Sequence, residues 1–199
     1  MPDAIKPIRL KTLPMEAAIE YWATLLVLAP EEFRRLGDAA RARAFTVAGL
    51  ARQDQLDTVF EAIQRAIAEG TTFDDFKADL GPIMQKRGWE AYRADNIFRT
   101  NLQTAYNVGR YKEMAAARNE RPYWRYSAVN DSRTRPTHAA LDGKVFPADH
   151  PFWDTWYPPN GYRCRCSVVS LSRAEIERDG LTVETDDPTG GLIRPKDED

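Results

Sequence analysis

The chain has 199 residues, of which 43% are hydrophobic and 29% are charged, values typical of a globular protein rather than a disordered one. Its formal net charge of −2 argues against a free-standing nucleic-acid-binding domain, which normally carries a strong basic excess. The longest apolar run, residues 23–30, is too short to cross a bilayer, and two cysteines do not suit a secreted disulfide scaffold.

Charge is unevenly distributed along the chain. Residues 121–172 contain seven Arg and Lys against four Asp, a balance of +3. Residues 173–199 contain four basic against nine acidic residues, a balance of −5. The acidic end is interpreted either as a solvated tail or as a segment that repels nucleic acid or docks on a basic partner.

The first part of the chain is predicted to be mainly helical. Residues 1–14 contain three prolines and are expected to form an extended arm. Apolar residues at three- and four-residue steps predict a helix over residues 15–28. Pro30, followed by two Glu, predicts the start of another helix.

Two further helices are predicted between residues 56 and 82. An apolar stripe over residues 56–67 indicates a long helix that stops at Gly70. Thr72 and Asp75 are typical of a helix N-terminus, and the Gly-Pro pair at 81–82 is expected to break or kink the helix that they open.

The helical pattern resumes from Trp89 to about Arg118. Ala105 and Gly109 lie four residues apart on its apolar face, where two small side chains would let another backbone approach closely. We interpret them as packing residues.

The sequence pattern changes from helical to β-prone after Pro122. Residues 123–129 are aromatic and β-prone, and Asp-Gly at 142–143 between apolar flanks predicts a β-hairpin. Residues 147–163 are expected to form a rigid loop, and residues 166–171 a last strand. A capping box then predicts a short helix that ends near residue 180.

These patterns predict an α+β protein. It would have an extended arm (1–14), a mainly helical body (15–120), a small β-hairpin and loop module that contains the Cys and His residues (121–172), and a short helix with an acidic mobile tail (173–199).

Both cysteines and the only two histidines fall within residues 138–166. Two thiolates and two imidazoles suit a tetrahedral zinc ion, which could staple a small module with a thin core. The candidate ligands are His138, Cys164 and Cys166, with His150 as the fourth.

Other interpretations of this group remain open. Asp131 or Asp149 could replace His150 as an oxygen ligand. The Cys-x-Cys pair is otherwise a strained disulfide, disfavoured in a reducing compartment, or two buried thiols without a metal. In an extended strand, the side chains of Cys164 and Cys166 point to the same face.

Enzymatic function is the main alternative to a structural role. His138 with Asp131 could act as a general base, and these two residues with Arg133 and Arg135 could hold and cleave a phosphodiester around a metal. The chain has no Gly-rich phosphate loop, nucleophile elbow or His-Glu-x-x-His motif, which disfavours the common hydrolase classes.

The module also carries candidate binding residues. Its arginines could be salt-bridged or solvated, or could contact nucleic acid with help from nearby aromatic rings. We interpret the rings as core, since a loop-rich domain needs bulky anchors. The candidate binding residues are Asp131, Arg133, Arg135, Arg163 and Arg165.

An ordered series of motifs resembles the phage Mu protein F-like family, the minor head or head-morphogenesis proteins of tailed bacteriophages. The resemblance covers roughly residues 15–172. The segments that carry it are residues 45–49, 88–89, 99–110, 123–126, 131–143, 151–153 and 158–166, which end in Cys164-Arg165-Cys166.

The resemblance implies a structural protein of the phage or prophage head, acting at or near the portal, with no established catalytic activity. It implies portal, major capsid or scaffolding protein as partners, and contact with packaged DNA as a further role. The protein would be oligomeric in the assembled particle and would not contact a membrane. It would occupy the host bacterial cytoplasm during assembly and then the virion head.

One departure affects the zinc site. A related branch of the family has Cys at the position of His138 and His at the position of Gly161, which would complete a site of three Cys and one His. The resemblance therefore leaves the fourth ligand of this chain open: His150, an acid, water, or no metal at all. The rival function remains a metal-dependent nuclease or other hydrolase centred on His138 and Asp131.

Overall fold

The computed structural model describes residues 15–186, apart from the side chain of Asp38. The predicted arm, residues 1–14, and the acidic tail from residue 187 onward lie outside the described residues. The described part combines helices with two small sheets, which confirms the α+β class. In chain order its elements are α1 (Glu16–Ala23), β1 (Leu26–Val27), α2 (Pro30–Arg34), α3 (Asp38–Arg41), β2 (Ala44–Phe45), α4 (Gln53–Glu69), α5 (Phe73–Asp79), α6 (Gly81–Arg87), α7 (Ala91–Ala116), β3 (Tyr123–Ser127), α8 (Pro136–Leu141), β4 (Val145–Pro147), α9 (Phe152–Trp156), β5 (Ser167–Leu171) and α10 (Arg173–Asp179).

Helices α1, α4, α5 and α7 enclose a first group of buried side chains, which we call the N-terminal core and which includes Trp22, Leu56, Ile63 and Phe76. The predicted ends of α4 and α5 are confirmed. Gly70 adopts the left-handed conformation after α4, and the Thr72 hydroxyl accepts a hydrogen bond from the backbone N–H of Asp75.

The first predicted helix is shorter than expected. It ends at Ala23, where the Thr24 hydroxyl donates to the Tyr21 carbonyl at 2.7 Å and satisfies a terminal acceptor. Residues Leu26–Val27 then pair in parallel with Ala44–Phe45. The apolar run that suggested a longer helix is therefore a strand in part.

A three-stranded antiparallel sheet in the order β4-β3-β5 forms the centre of the C-terminal half. Along β3, Trp124 and Tyr126 are completely buried, while the residues between and beside them are only partly covered. This period of two is what a sheet with one covered face requires. The strands predicted near 123–129 and 166–171 are confirmed.

The Asp-Gly hairpin prediction is wrong. Residues Pro136–Leu141 form helix α8, so β3 and β4 are joined by a helical connection rather than by a two-residue turn. Asp142 and Gly143 still form a tight turn, closed by a hydrogen bond from the Lys144 N–H to the Leu141 carbonyl at 3.1 Å. Gly143 has a φ of +78°, which suits glycine, and the turn leads from helix to strand.

The aromatic residues of this half form a second group of buried side chains, the C-terminal core, as the sequence predicted. Phe146 stacks on Phe152 with ring centroids 4.1 Å apart, and Trp153 and Trp156 lie beside them. These last three residues belong to α9, a short helix in a segment that was predicted to have little regular structure.

Helix α7 contacts both cores. Ala94, Phe98 and Ala105 belong to the N-terminal core, and Met114 belongs to the C-terminal core. Because one helix serves both, the division into a body and a module at residue 120 stays a prediction.

Two sides of α7 make different contacts. At Gly109, an added Cβ would lie 2.8 Å from the backbone nitrogen of Ala18, so α1 approaches as closely as the small residue allows. Elsewhere on the helix, Gln103 and Asn107 donate to the Cys166 carbonyl at 2.9 and 3.2 Å, and Arg110 donates to the Val168 carbonyl at 3.3 Å. The helix therefore fixes α1 on one side and the start of β5 on another.

Within residues 15–186, none of the helices combines the length and apolar character that a membrane span requires.

Replacement of Gly109 by alanine should lower the free energy of unfolding by about 1–3 kcal/mol, because the new methyl group collides with the α1 backbone and cannot turn away. Urea denaturation of the purified variant and wild type would measure the change. Gly81→Ala is the matched control, since an added Cβ there meets no atom within 4 Å. An unchanged midpoint for Gly109→Ala would refute the close approach.

Candidate metal centre

The structure brings together three of the four predicted zinc ligands. His138 lies on α8, and the two cysteines lie on the extended segment that enters β5. The pleat turns both thiols inward and leaves Arg165 between them on the opposite side, as the Cys-x-Cys spacing predicted. His138, Cys164 and Cys166 are 2%, 4% and 3% exposed.

The distances between these donors fit a tetrahedral zinc site. His138 Nδ1 lies 3.8 Å from Cys164 Sγ and 3.4 Å from Cys166 Sγ, and the three atoms are all within 4.8 Å of one another. Zinc bonds of about 2.0–2.1 Å to nitrogen and about 2.3 Å to sulfur, at tetrahedral angles, place such donors about 3.6–3.8 Å apart. The group could therefore hold a metal with little rearrangement.

One of the two thiols, Cys164, is also electrostatically prepared to bind a cation. The Cys166 thiol donates a hydrogen bond to the Cys164 sulfur, and this bond is the main reason that the pKa of Cys164 is lowered to about 4. Burial opposes the shift, whereas His138 and the backbone N–H groups of Asn160 and Cys166 add to it. The same hydrogen bond raises the pKa of Cys166, as do its burial and the neighbouring negative charge. A cation between the two sulfurs would remove that repulsion.

Both cysteines are free thiols, which contradicts the disulfide interpretation. Their burial beside a histidine leaves the metal site and the metal-free thiol pair as the two interpretations.

His150 does not join this group, so its assignment as fourth ligand is not supported by the geometry. Its Nδ1 accepts a hydrogen bond from the Phe152 N–H at 3.1 Å, and its Nε2 lies 3.2 Å from the Thr185 carbonyl. The ring packs against Phe146 at 5.1 Å, so both nitrogens are engaged away from the thiols. Asp149 is exposed and is likewise absent from the group of potential ligands.

Asp131 binds an arginine instead of a metal. Its two carboxylate oxygens accept from the Arg165 guanidinium at 2.6 and 2.5 Å, and one also accepts from the Arg133 N–H at 3.0 Å. The hydrogen bonds from the Arg165 guanidinium are the main reason that the pKa of this carboxyl lies well below its usual range. Because Arg165 points away from the thiols, the pair fixes the outer face of the Cys-Arg-Cys segment.

The geometry therefore does not support the alternative of a dyad between His138 and Asp131. The histidine Nδ1 faces the thiols, its Nε2 has no hydrogen-bond partner in the described part of the chain, and the ring is 2% exposed. A general base must reach its substrate and an orienting acid. Within residues 15–186, the buried His138 ring has no acid beside it and is closed to a substrate.

The predicted arginines meet at a cleft of about 810 Å³ between α7 and the segment before β5. Arg163 binds Asp95 and lies over the Tyr92 ring, 4.9 Å from its centroid, while Arg135 donates to the Tyr162 carbonyl at 3.0 Å. The residues that line the cleft are Tyr92, Asn96, Phe98, Arg99, Leu102, Gln103, Tyr106, Arg133, Arg135, Tyr162, Arg163, Cys164 and Arg165.

Sequence reasoning missed two groups of polar residues. The first is the series Gln103, Asn107 and Arg110, which binds β5; its spacing of four and three residues is the signal that places it on one helix face. The second is the pair of Tyr126 and Asn160, both 0% exposed, which lie beside the thiols. Nothing in their local sequence distinguishes them from core and turn residues.

The comparisons with known proteins agree with the resemblance seen in the sequence. Residues 57–169 match the family described as phage Mu protein F like protein. The chain is 38% identical over 214 aligned positions to the putative capsid assembly protein F of Escherichia phage Mu, an alignment that covers 91% of this chain and 48% of that protein. It is 41% identical over 165 positions to the Mu-like prophage FluMu F protein of Haemophilus influenzae, covering 75% of this chain and 40% of that protein.

The chain thus spans about half the length, or less, of these curated relatives. No solved structure matches it significantly. The matched region includes α7, β3, β4, the start of β5 and all three candidate metal ligands.

Proposed function

Since the chain belongs to the phage Mu protein F-like family, we propose that it is a structural protein in the assembly of a tailed-phage head. The observation that carries the proposal is the match over residues 57–169, together with the name of the phage Mu relative, a putative capsid assembly protein. The finer proposal is a position at or near the portal, with portal, major capsid or scaffolding protein as partners.

The site geometry supports a structural rather than a catalytic role. His138 is buried with the two thiols, and Asp131, Arg133, Arg163 and Arg165 are bound in ion pairs. A protein that organises partners needs rigid surfaces, and the Cys-Arg-Cys segment is fixed on its inner and outer faces by buried donors and an ion pair.

Fractionation of phage heads tests this function. We expect the protein in purified heads, in few copies, and enriched in subassemblies that retain the portal. Infection with phage that lack the gene should yield defective heads, and supplying the wild-type gene should restore them. Absence of the protein from heads at every stage of assembly would refute the proposal.

We further propose that His138, Cys164 and Cys166 hold a structural zinc ion. The support is the fit of their separations to tetrahedral zinc and the lowered pKa of the Cys164 thiol. A zinc ion would add folding free energy to a module with short strands and would hold α8 to the start of β5.

Protein purified without chelators should therefore contain one zinc per chain by native mass spectrometry, and Cys164→Ser should lose it. The variant should also unfold at lower denaturant concentration than wild type, because it loses metal-linked stability. Val168→Ala is the matched control: it leaves a cavity in the same segment but removes no ligand, so it should keep its zinc. Metal-free wild type would contradict the zinc site.

Contact with packaged DNA is a third proposal, supported by the cleft. Its lining includes five arginines, and within residues 15–186 the acids that pair with them are Asp95 and Asp131. The excess positive charge lies beside exposed tyrosines at positions 92 and 162, which are 67% and 64% exposed. Arginine with an accessible aromatic ring is the usual combination for binding a nucleic-acid strand.

The double variant Arg133→Ala/Arg135→Ala should bind DNA about tenfold or more weakly and with a shallower salt dependence, because phosphate contacts release counterions. Fluorescence anisotropy at several salt concentrations would measure both effects. Arg52→Ala removes a positive charge at the start of α4, outside the cleft, and should leave affinity nearly unchanged. Equal losses in both variants would assign the binding to overall charge rather than to the cleft.

A further inference from the structure

The three buried donors leave one position of a tetrahedral site to be filled. Structural zinc sites are closed by four protein ligands, whereas sites with an open position belong to catalysis. The group of three is almost completely buried, so the fourth donor should come from the protein.

Strand register places Tyr126 on the same face as the thiols. Tyr126 pairs directly with Val168, and opposite residues in an antiparallel pair share a face. Cys166 and Cys164 follow on that face at steps of two, as their burial shows. A tyrosine side chain is long enough to reach diagonally from Tyr126 toward them.

The Tyr126 hydroxyl has an environment that a metal would complete. It is completely buried and has no partner with hydrogen-bond geometry among residues 15–186. The hydroxyl lies close to the Cys166 thiol and to the Asn160 side chain. A buried hydroxyl without a hydrogen-bond partner lowers the free energy of unfolding by about 1–3 kcal/mol. A tyrosine at this position therefore requires an explanation.

Asn160 supplies a second unsatisfied atom beside the first. Its Nδ2 donates to the Trp156 carbonyl at 2.8 Å, which fixes the orientation of the amide. Its Oδ1 is buried and has no partner within the described residues, although the side chain lies next to the Tyr126 hydroxyl. Its backbone N–H also faces the Cys164 sulfur.

Building on the proposed zinc site, we propose that the Tyr126 oxygen is its fourth ligand and that Asn160 Oδ1 accepts a hydrogen bond from the phenolic O–H. The oxygen lone pair would bind the metal while the O–H points to the amide, so both unsatisfied atoms gain a partner in one arrangement. Two thiolates, a neutral imidazole and a neutral phenol balance the charge of Zn²⁺. A neutral group of this kind is the form that a buried site tolerates best.

This inference also explains how the site closes although position 161 is glycine. The fourth ligand comes from β3 instead of from the Pro-Pro-Asn-Gly loop. The loop contributes Asn160, the residue before the glycine, which accepts a hydrogen bond from the Tyr126 O–H. Zinc would then join β3, α8 and the start of β5, three of the elements that contribute side chains to the C-terminal core.

Zinc affinity of the full chain, measured by competition with a chromophoric chelator, tests the assignment. Tyr126→Phe should bind zinc about tenfold or more weakly than wild type. Without metal, the same variant should be at least as stable as wild type, because it removes an unsatisfied hydroxyl. With excess zinc it should be less stable. This reversal is the signature of ligation, since a purely structural tyrosine would change stability equally in both conditions.

Tyr157→Phe is the matched control, because Tyr157 packs against the same core and its hydroxyl donates to the Asn107 carbonyl at 3.1 Å. It should lose stability with and without zinc and keep wild-type affinity. Asn160→Ala should weaken zinc binding less than Tyr126→Phe, since it acts through the ligand.

A second measurement needs no variant of Tyr126: zinc added to metal-free wild type, and to Tyr157→Phe, should produce a small tyrosine difference band in the ultraviolet without the larger band of a phenolate, since the ligand keeps its proton. Wild type that binds zinc without this band, or Tyr126→Phe with wild-type affinity, would overturn the tyrosine ligand and leave the zinc site intact. Wild type that binds no zinc would overturn both.

Discussion

Helix α7 is the constraint on which the rest of the structure depends. One part of its surface is so close to α1 that only glycine fits at position 109. Another part presents amide and guanidinium groups to the carbonyls of Cys166 and Val168. A buried carbonyl without a donor is costly, so these contacts fix the position of the strand along the helix as well as its distance.

The segment before β5, which α7 holds in place, presents two kinds of chemical group because its extended backbone points successive side chains to opposite sides. Its inward side chains are the thiols, which meet His138 in a dry environment and fit a metal that prefers sulfur and nitrogen. Arg165 points outward between them, and Arg163 lies in the preceding turn with a φ of +56°; both line the cleft with α7. The alternation of an extended chain separates Arg165 from the thiols although the three residues are adjacent in sequence. Ligation at the inner face would therefore stiffen the arginine-bearing outer face.

Ion pairs determine what the cleft can bind. Asp95 receives both Arg99 and Arg163, and Asp131 receives Arg165 in a two-point contact. These pairs hold the guanidinium groups in place and neutralise part of their charge, which leaves a moderate excess rather than a strongly basic surface. Such a cleft suits a weak or partner-assisted contact with a polyanion better than independent tight binding, in keeping with the net charge of −2.

Local signals in the sequence were reliable where the structure is decided locally. The stop at Gly70, the cap at Thr72, the long helix before residue 118 and the inward direction of both cysteines follow from backbone conformation and periodicity, and all are observed. The Asp-Gly signal failed because a turn of that composition can follow a helix as well as a strand. The flanking residues, which form α8, decide between the two.

The sequence by itself therefore determined the α+β class, the family, the helix boundaries at Gly70 and Thr72, and the residue types available for a metal site. Only the tertiary structure decided which of them meet. His150 has the right chemistry, but a neighbouring N–H and a carbonyl engage its ring, whereas Tyr126 and Asn160, from separate segments, lie against the thiols. Proximity in a folded chain depends on strand register and helix packing, and neither is encoded by the spacing of the ligands along the sequence.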